Sequence, residues 1–396
     1  MELPVQAGIL LLLIAAVVAM LCRRLRLPYS VGLVIAGVLF ALFPDAPKVA
    51  LTKDLLFTTL LPPLLFEATF FIDWKRLRRN APVIILLATL GVVLSATVTA
   101  VGMHELIGWQ WSTALVFGVL IAATDPVSVI ATFKEAKAQG RLLVLIEAES
   151  LLNDGTAAVA FGVVIALATG HPLGSLQVAG LLLKTVGGGV LCGAVVAVAA
   201  LLLTGRTDDH LIEITFTTVA AYGSFLLAEH WGLSGVLATI TAGLVMSNFK
   251  PVGGISERGR EAVQTFWEYA AFVANSFIFL LIGVHEAEQN FLAIWLPAGV
   301  AIALVTLGRA AAIYPCCAFF SRSSLRVSWS HQHILFWGGL RGALALALAL
   351  GLPLDMPMRE AVITVSFAVV AFSVFVQGLS MAPFLRKLGE GNRTNN

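Results

Sequence analysis

The chain has 396 residues, of which 59% are hydrophobic and 12% carry a formal charge, with a mean hydropathy of +0.92. Soluble domains use about 25% charged residues, so the polar coat that a water-soluble core of this size would need is missing. The chain is read as an all-α polytopic membrane protein, and its net charge of +2, with no basic patch interleaved with aromatics, points to no nucleic-acid partner.

A helical span needs about 20 mostly apolar residues, and only helices or closed barrels satisfy their backbones in lipid. The apolar runs here are long and continuous, which favours helices. Thirteen spans are predicted, at 5–22, 29–43, 55–72, 82–104, 112–133, 142–169, 185–204, 211–229, 233–248, 262–284, 291–320, 330–351 and 360–385. The first is followed, not preceded, by Arg23, Arg24 and Arg26. That is the reverse of a cleaved signal peptide, so the run is read as a spanning helix. The stretch 173–183 reads as an interfacial amphipathic segment, with Lys184 snorkelling to the headgroups. Residues 250–260 form a connector, and 386–396 a short cytoplasmic tail. One transmembrane domain is therefore expected over 1–385.

Lys and Arg in the loops set the orientation. Loops after odd-numbered spans, with the tail, hold Arg23, Arg24, Arg26, Lys75, Arg76, Arg78, Arg79, Lys134, Lys137, Arg141, Arg206, Lys250, Arg258, Arg260, Arg322, Arg326, Arg386, Lys387 and Arg393. The other side holds Lys48, Lys53 and Arg359. The N-terminus is expected outside and the C-terminus in the cytoplasm, across the cytoplasmic (inner) membrane. Cys22, Cys192, Cys316 and Cys317 lie in or beside apolar runs without metal-ligand spacing, and read as small apolar fillers.

Ionisable residues inside spans cost about 2.5–3.5 kcal/mol on insertion scales and mark function by default. Span three carries Glu67 after Pro62 and Pro63. Span five carries Thr124, Asp125 and Pro126, and Pro126 is expected to break that helix. Asp125 either coordinates a cation or, the favoured reading, neutralises the positive end of a half-helix. In span six Glu147, Ser150 and Asp154 share one face, while Glu149 and Asn153 share the next. Glu147 reads equally well as a structural residue near the cytoplasmic mouth.

Span twelve carries Arg341 among Gly338, Gly339 and Gly342, a second expected break. A buried guanidinium cannot shed its proton and must be paired; Glu149 is the predicted partner. Arg309 in span eleven reads as packing against a cytoplasmic-side carboxylate. Breaks in spans five and twelve fit an inverted repeat of about 5–169 onto 211–385, linked by span seven.

The segments LPPLLFEA (61–68), TDPVSV (124–129), EAESLLNDGTA (147–157), FWEYAAFVANSFIFLLIG (266–283) and GGLRGALALALAL (338–350) resemble the sodium/proton exchanger branch of the cation:proton antiporters, in order and along the whole chain. The resemblance implies thirteen helices, an inverted repeat with two crossed broken helices, a homodimer, and no cofactor beyond the transported Na⁺ and H⁺. It implies that Asp154 takes either cation or proton. Ser150, Glu67 and Thr124 complete the coordination, Asn153 steadies the site, and Asp125 and Arg341, the latter paired to Glu149, balance half-helix dipoles. The Asn153–Asp154 pair resembles the electroneutral branch.

If only the cation-bound or protonated carboxylate crosses, exchange is obligatory and one-for-one. No Walker motif is present, so no nucleotide is expected as a driver. A gated monovalent-cation channel, or a K⁺/H⁺ efflux protein on a related fold, is the alternative. An intramembrane hydrolase is disfavoured because neither GxSxG nor HExxH occurs.

Overall fold

The computed structural model describes residues 5–25, 27–43, 51–70, 72–125, 129–130, 133, 140–168, 174–249, 254–287 and 294–388. Every regular element among them is helical. In chain order these are α1 (Val5–Leu25), α2 (Tyr29–Ala41), α3 (Leu55–Phe70), α4 (Trp74–Ile107), α5 (Trp111–Leu120), α6 (Arg141–Ala168), α7 (Ser175–Thr204), α8 (His210–His230), α9 (Gly235–Asn248), α10 (Glu257–Ala287), α11 (Trp295–Phe319), α12 (Trp329–Trp337), α13 (Ala343–Leu350) and α14 (Arg359–Lys387). Eight of them are long and apolar enough to cross a membrane. The protein is a multi-pass membrane protein.

The helices pack in two groups. In one, α2 lies along α10 and α1, α3 against α9 and α10, and α7, α8 and α9 against one another. An apolar cluster from five of these helices fills its centre, with Phe66, Ala197, Ala220, Ala242 and Trp267 all buried. Phe66 and Trp267 meet with ring centroids 4.5 Å apart, and the Trp267 indole N–H donates to Thr217 Oγ1 at 3.0 Å, so the ring is buried with its polar edge satisfied. In the other group α4 lies along α5 and α11, α6 against α4 and α5, and α13 against α14 and α5. α6 also touches α3 and α9, which places its polar face between the groups.

Local chemistry explains several helix details. Pro62 and Pro63 cannot donate to the carbonyls one turn back, and α3 begins with a π-helical turn, Leu55–Leu60, just before them. The Thr59 carbonyl, which Pro63 leaves without its helical donor, accepts the Tyr222 hydroxyl at 3.0 Å. α4 begins at Trp74 because Asp73 caps it, accepting from the Lys75 and Arg76 amides at 2.8 and 3.5 Å. The basic run after Asp73, expected in a loop, is therefore the first turns of a long helix.

Three further expectations are corrected. The supposed interfacial stretch before Lys184 is not separate: α7 is continuous from Ser175, and the Gly174 amide donates to Gln177 Oε1 at 2.9 Å at its start. Arg386 and Lys387 belong to the last turn of α14 rather than to a tail. The chain leaves helix five at Leu120, several residues ahead of Pro126, which lies outside the described residues. So do Arg26, Lys48, Lys134, Lys137, Lys250 and Arg393 of the orientation pattern. All four cysteines are buried and unbridged.

Candidate ion-binding site

Two helix interruptions meet at the centre of the site. After α5 the chain runs without helix through Ala123 and Thr124 to Asp125. Between α12 and α13 it is likewise open from Gly338 to Gly342. The Asp125 amide donates to the Leu340 carbonyl at 2.8 Å, a single antiparallel bridge between the two openings. Gly342 allows the Asp125 carboxylate to sit where a side chain would stand, directly before the first turn of α13. A negative charge there faces the positive end of a helix.

Arg341 closes the opposite end. It is buried, and its Nη1 donates to the carbonyls of Ala122 and Ala123 at 2.6 and 3.0 Å. These carbonyls lie just past α5, so a cation sits on the negative end of that half-helix.

The predicted Arg341–Glu149 pair does not form. Glu149 is held by Arg309 instead, with Nη1–Oε1 at 2.7 Å and Nη2–Oε2 at 3.0 Å, a two-pronged ion pair buried on both sides. Arg309 also donates from Nε and Nη2 to the Leu335 carbonyl at 3.3 and 3.0 Å, near the end of α12. Gly339 leaves the room that the Arg309 stem occupies. Each arginine thus covers the carbonyl end of one half-helix. The physical reason for the exchange of partners lies in backbone supply. Arg341 stands within a break and reaches free carbonyls left by another. Arg309 stands in the long helix α11 and reaches one carbonyl, that of Leu335, with its remaining donors turned to the Glu149 carboxylate.

Asn153 ties the charged pair to the opened chain. Its Oδ1 accepts from the Thr124 amide at 3.1 Å, and its Nδ2 donates to Thr124 Oγ1 and, at 3.1 Å, to Glu149 Oε1. The hydroxyls of Thr124 and Ser150 lie 3.0 Å apart. Arg309, Glu149, Asn153, Thr124 and Ser150 form one continuous buried network. Such a network holds its members in place only while every polar group has a partner.

Asp154 stands beside that network and faces elsewhere. It is partly exposed and lines a cavity of about 340 Å³ between the helix groups, together with Glu67, Thr124, Asp125 and Gly342. Ser150, one turn earlier on α6, is buried and does not line the cavity. Glu147 is partly exposed. Two polar cavity residues, Glu268 and Asn275, come from α10; both lie in the FWEYAAFVANSFIFLLIG segment, and the residue types at helical spacing were the available signal. Among the described residues no three His, Cys, Asp or Glu side chains converge as a metal cluster would require.

Residues 9–387 match the family model described as sodium/hydrogen exchanger, transmembrane. The chain belongs to this family. As a sodium/hydrogen exchanger family member it is a transporter and not an enzyme. It is 40% identical over 374 residues to the Na⁺/H⁺ antiporter ApNhaP of Aphanothece halophytica, covering 92% of this chain and 70% of that one. It is 33% identical over 395 residues to the Na⁺/H⁺ antiporter NhaH of Halobacillus aidingensis, covering 96% and 97%. The sodium proton antiporter MjNhaP1 of Methanocaldococcus jannaschii, solved by electron microscopy, shares the fold with a TM-score of 0.79 at 18% identity, over the full length of both chains.

Proposed function

We propose that the chain is an electroneutral secondary antiporter that exchanges Na⁺ for H⁺ by alternating access, with the two ions competing for Asp154. The observation that carries the reading is the division of labour between neighbours on α6. Asp154 lines the cavity, whereas Asn153 is buried, its amide spent on Thr124 and Glu149. Asn153 supplies dipoles and no second exchangeable proton. A carboxylate at Asp154 is neutralised equally by a proton or a monovalent cation, so occupancy by one excludes the other. Glu67 and the Thr124 backbone stand at the same cavity and complete the oxygen ligands, with Ser150 one turn behind them. Asp125 and Arg341 keep the half-helix ends neutral and do not cycle.

In this reading the chain makes thirteen spans with the N-terminus outside and the C-terminus in the cytoplasm. Spans five and twelve cross as broken helices of an inverted repeat. The group holding α4, α5, α6 and α11–α14 moves against the other, which a homodimer contact anchors. Native mass measurement in mild detergent is expected to give a mass of two chains; a single-chain mass across mild detergents and nanodiscs would contradict the dimer.

The stoichiometry has a direct consequence. With one exchanging carboxylate, each Na⁺ displaces one H⁺ and no net charge crosses. In proteoliposomes clamped with K⁺ and valinomycin, the initial exchange rate is expected to be the same at zero and at an imposed negative potential. A rate that climbs with potential, or a transport current, would require a second cycling carboxylate, with Glu67 first to test.

A further inference from the structure

A second polar cavity lies away from the ion site, where α4, α6 and the α11–α12 loop come together at the end of the molecule read as cytoplasmic. It measures about 410 Å³, and Arg76, Arg79, Asn80, Gly140, Arg141 and Leu325 are among its lining residues. Three guanidinium groups surround it. Arg141 is fixed by neutral acceptors alone: Asn80 Oδ1 at 2.7 Å, the Arg326 carbonyl at 2.8 Å and the Leu325 carbonyl at 2.6 Å. These bonds use three of its five N–H donors, and among the described residues its charge has no carboxylate partner. Arg79 makes no ion pair among the described residues. Among the described residues the ion pair formed at this pocket is Asp73 with Arg76, at 3.6 Å, and Asp73 already serves the cap of α4.

Three like charges converging on one pocket, with one partly committed counter-charge, favour an anion with several acceptor oxygens. The depth of the pocket says where that anion comes from. Trp74 at the start of α4, Phe319 at the end of α11 and Trp329 at the start of α12 are all exposed. Exposed tryptophans at helix ends mark the headgroup level of a membrane, and basic pockets between helices on the cytoplasmic side suit phosphate headgroups.

We propose that this pocket binds the phosphate of an anionic phospholipid from the cytoplasmic leaflet, braced by Arg76, Arg79 and Arg141. Because the lipid would bridge the first turns of α4 and α6 with the α11–α12 loop, it would hold together the elements that carry Asp154 and Arg309. The site is separate from ion exchange, and its test reads binding and not transport, so each stands or falls alone.

The test is a titration of the detergent-purified full chain with phosphatidylglycerol, followed by native mass spectrometry, with phosphatidylcholine and inorganic phosphate as the other arms. Arg76→Gln/Arg79→Gln is expected to weaken phosphatidylglycerol binding about thirty-fold, taking two headgroup-level charges at their usual worth. Arg79→Gln alone removes no described contact and should weaken it about five-fold, which keeps the test open if the double variant folds poorly. Arg386→Gln/Lys387→Gln, outside the pocket, should leave it unchanged. Equal binding by Arg79→Gln and wild type, equal loss in the outside pair, or phosphatidylcholine binding as tightly would each overturn the proposal. Displacement of the lipid by millimolar inorganic phosphate would assign the pocket to the free anion and overturn the lipid as its source.

Discussion

Asp154→Asn is expected to abolish Na⁺-dependent proton movement in everted vesicles, with the folded protein recovered at wild-type yield. The side chain keeps its volume and its place at the cavity wall, but an amide takes up no exchangeable proton and gives a cation no counter-charge. The adjoining network through Asn153, Thr124, Ser150 and Glu149 does not pass through Asp154, so its loss removes chemistry and leaves packing intact. Neighbouring carboxylates at the cavity, Glu67 and Asp125, do not substitute in this account. Residual exchange at the wild-type rate would move the carrier role to one of them.

The second large effect concerns stability. Removing one partner of a buried ion pair leaves the other charge desolvated and unpaired, at a cost of about 3–5 kcal/mol. Arg309→Ala is therefore expected to lower the Tm of the detergent-solubilised protein sharply, and Glu149→Ala likewise. Glu149→Gln/Arg309→Met should be more stable than Arg309→Ala, because the pair is then discharged together. Activity should not return with it, since Glu149 also accepts from Asn153 and Arg309 covers the Leu335 carbonyl. Arg341 behaves differently: its acceptors are backbone carbonyls, which no side-chain change can neutralise. Neutralising Glu149 should give no recovery to Arg341→Ala. The opposite pattern, with Glu149→Gln rescuing Arg341→Ala and not Arg309→Ala, would restore the pairing first expected from the sequence.

That pairing shows where the sequence is legible and where it is not. Which residues are costly in a membrane can be read directly, because a charge in an apolar run has no local excuse. The charged side chains now found around the site were visible in this way, except Glu268 of α10, which was not singled out. The break between α12 and α13 was legible in its three glycines. Choosing between two buried arginines for one carboxylate is a three-dimensional question. It turns on which arginine stands near opened backbone, and that depends on helix five opening at Leu120 and not at the proline. The residues after Leu120 are Ile, Ala and Ala, and nothing in their propensity ends a helix. Hydrogen bonds from Arg341 to Ala122 and Ala123, and between Thr124 and Asn153, hold that segment open, and all of these partners lie far away in sequence. The unbroken start of α7 was missed for the opposite reason: Lys184 reads as an interruption, yet an exposed lysine stem is tolerated along a helix face.

The claim at the centre is that Na⁺ and H⁺ occupy one carboxylate in turn, and proton release on cation binding tests it most directly. Purified protein is placed in weakly buffered detergent solution at a pH where the site is protonated, NaCl is added, and the pH change is read with a soluble indicator. Choline chloride serves as the control for ionic strength. The account predicts release of about one proton per chain at saturating Na⁺, following the single-site competition between the two ions at one carboxylate, and none from Asp154→Asn. Na⁺ binding to the wild type without proton release, or the same release from Asp154→Asn, would contradict it.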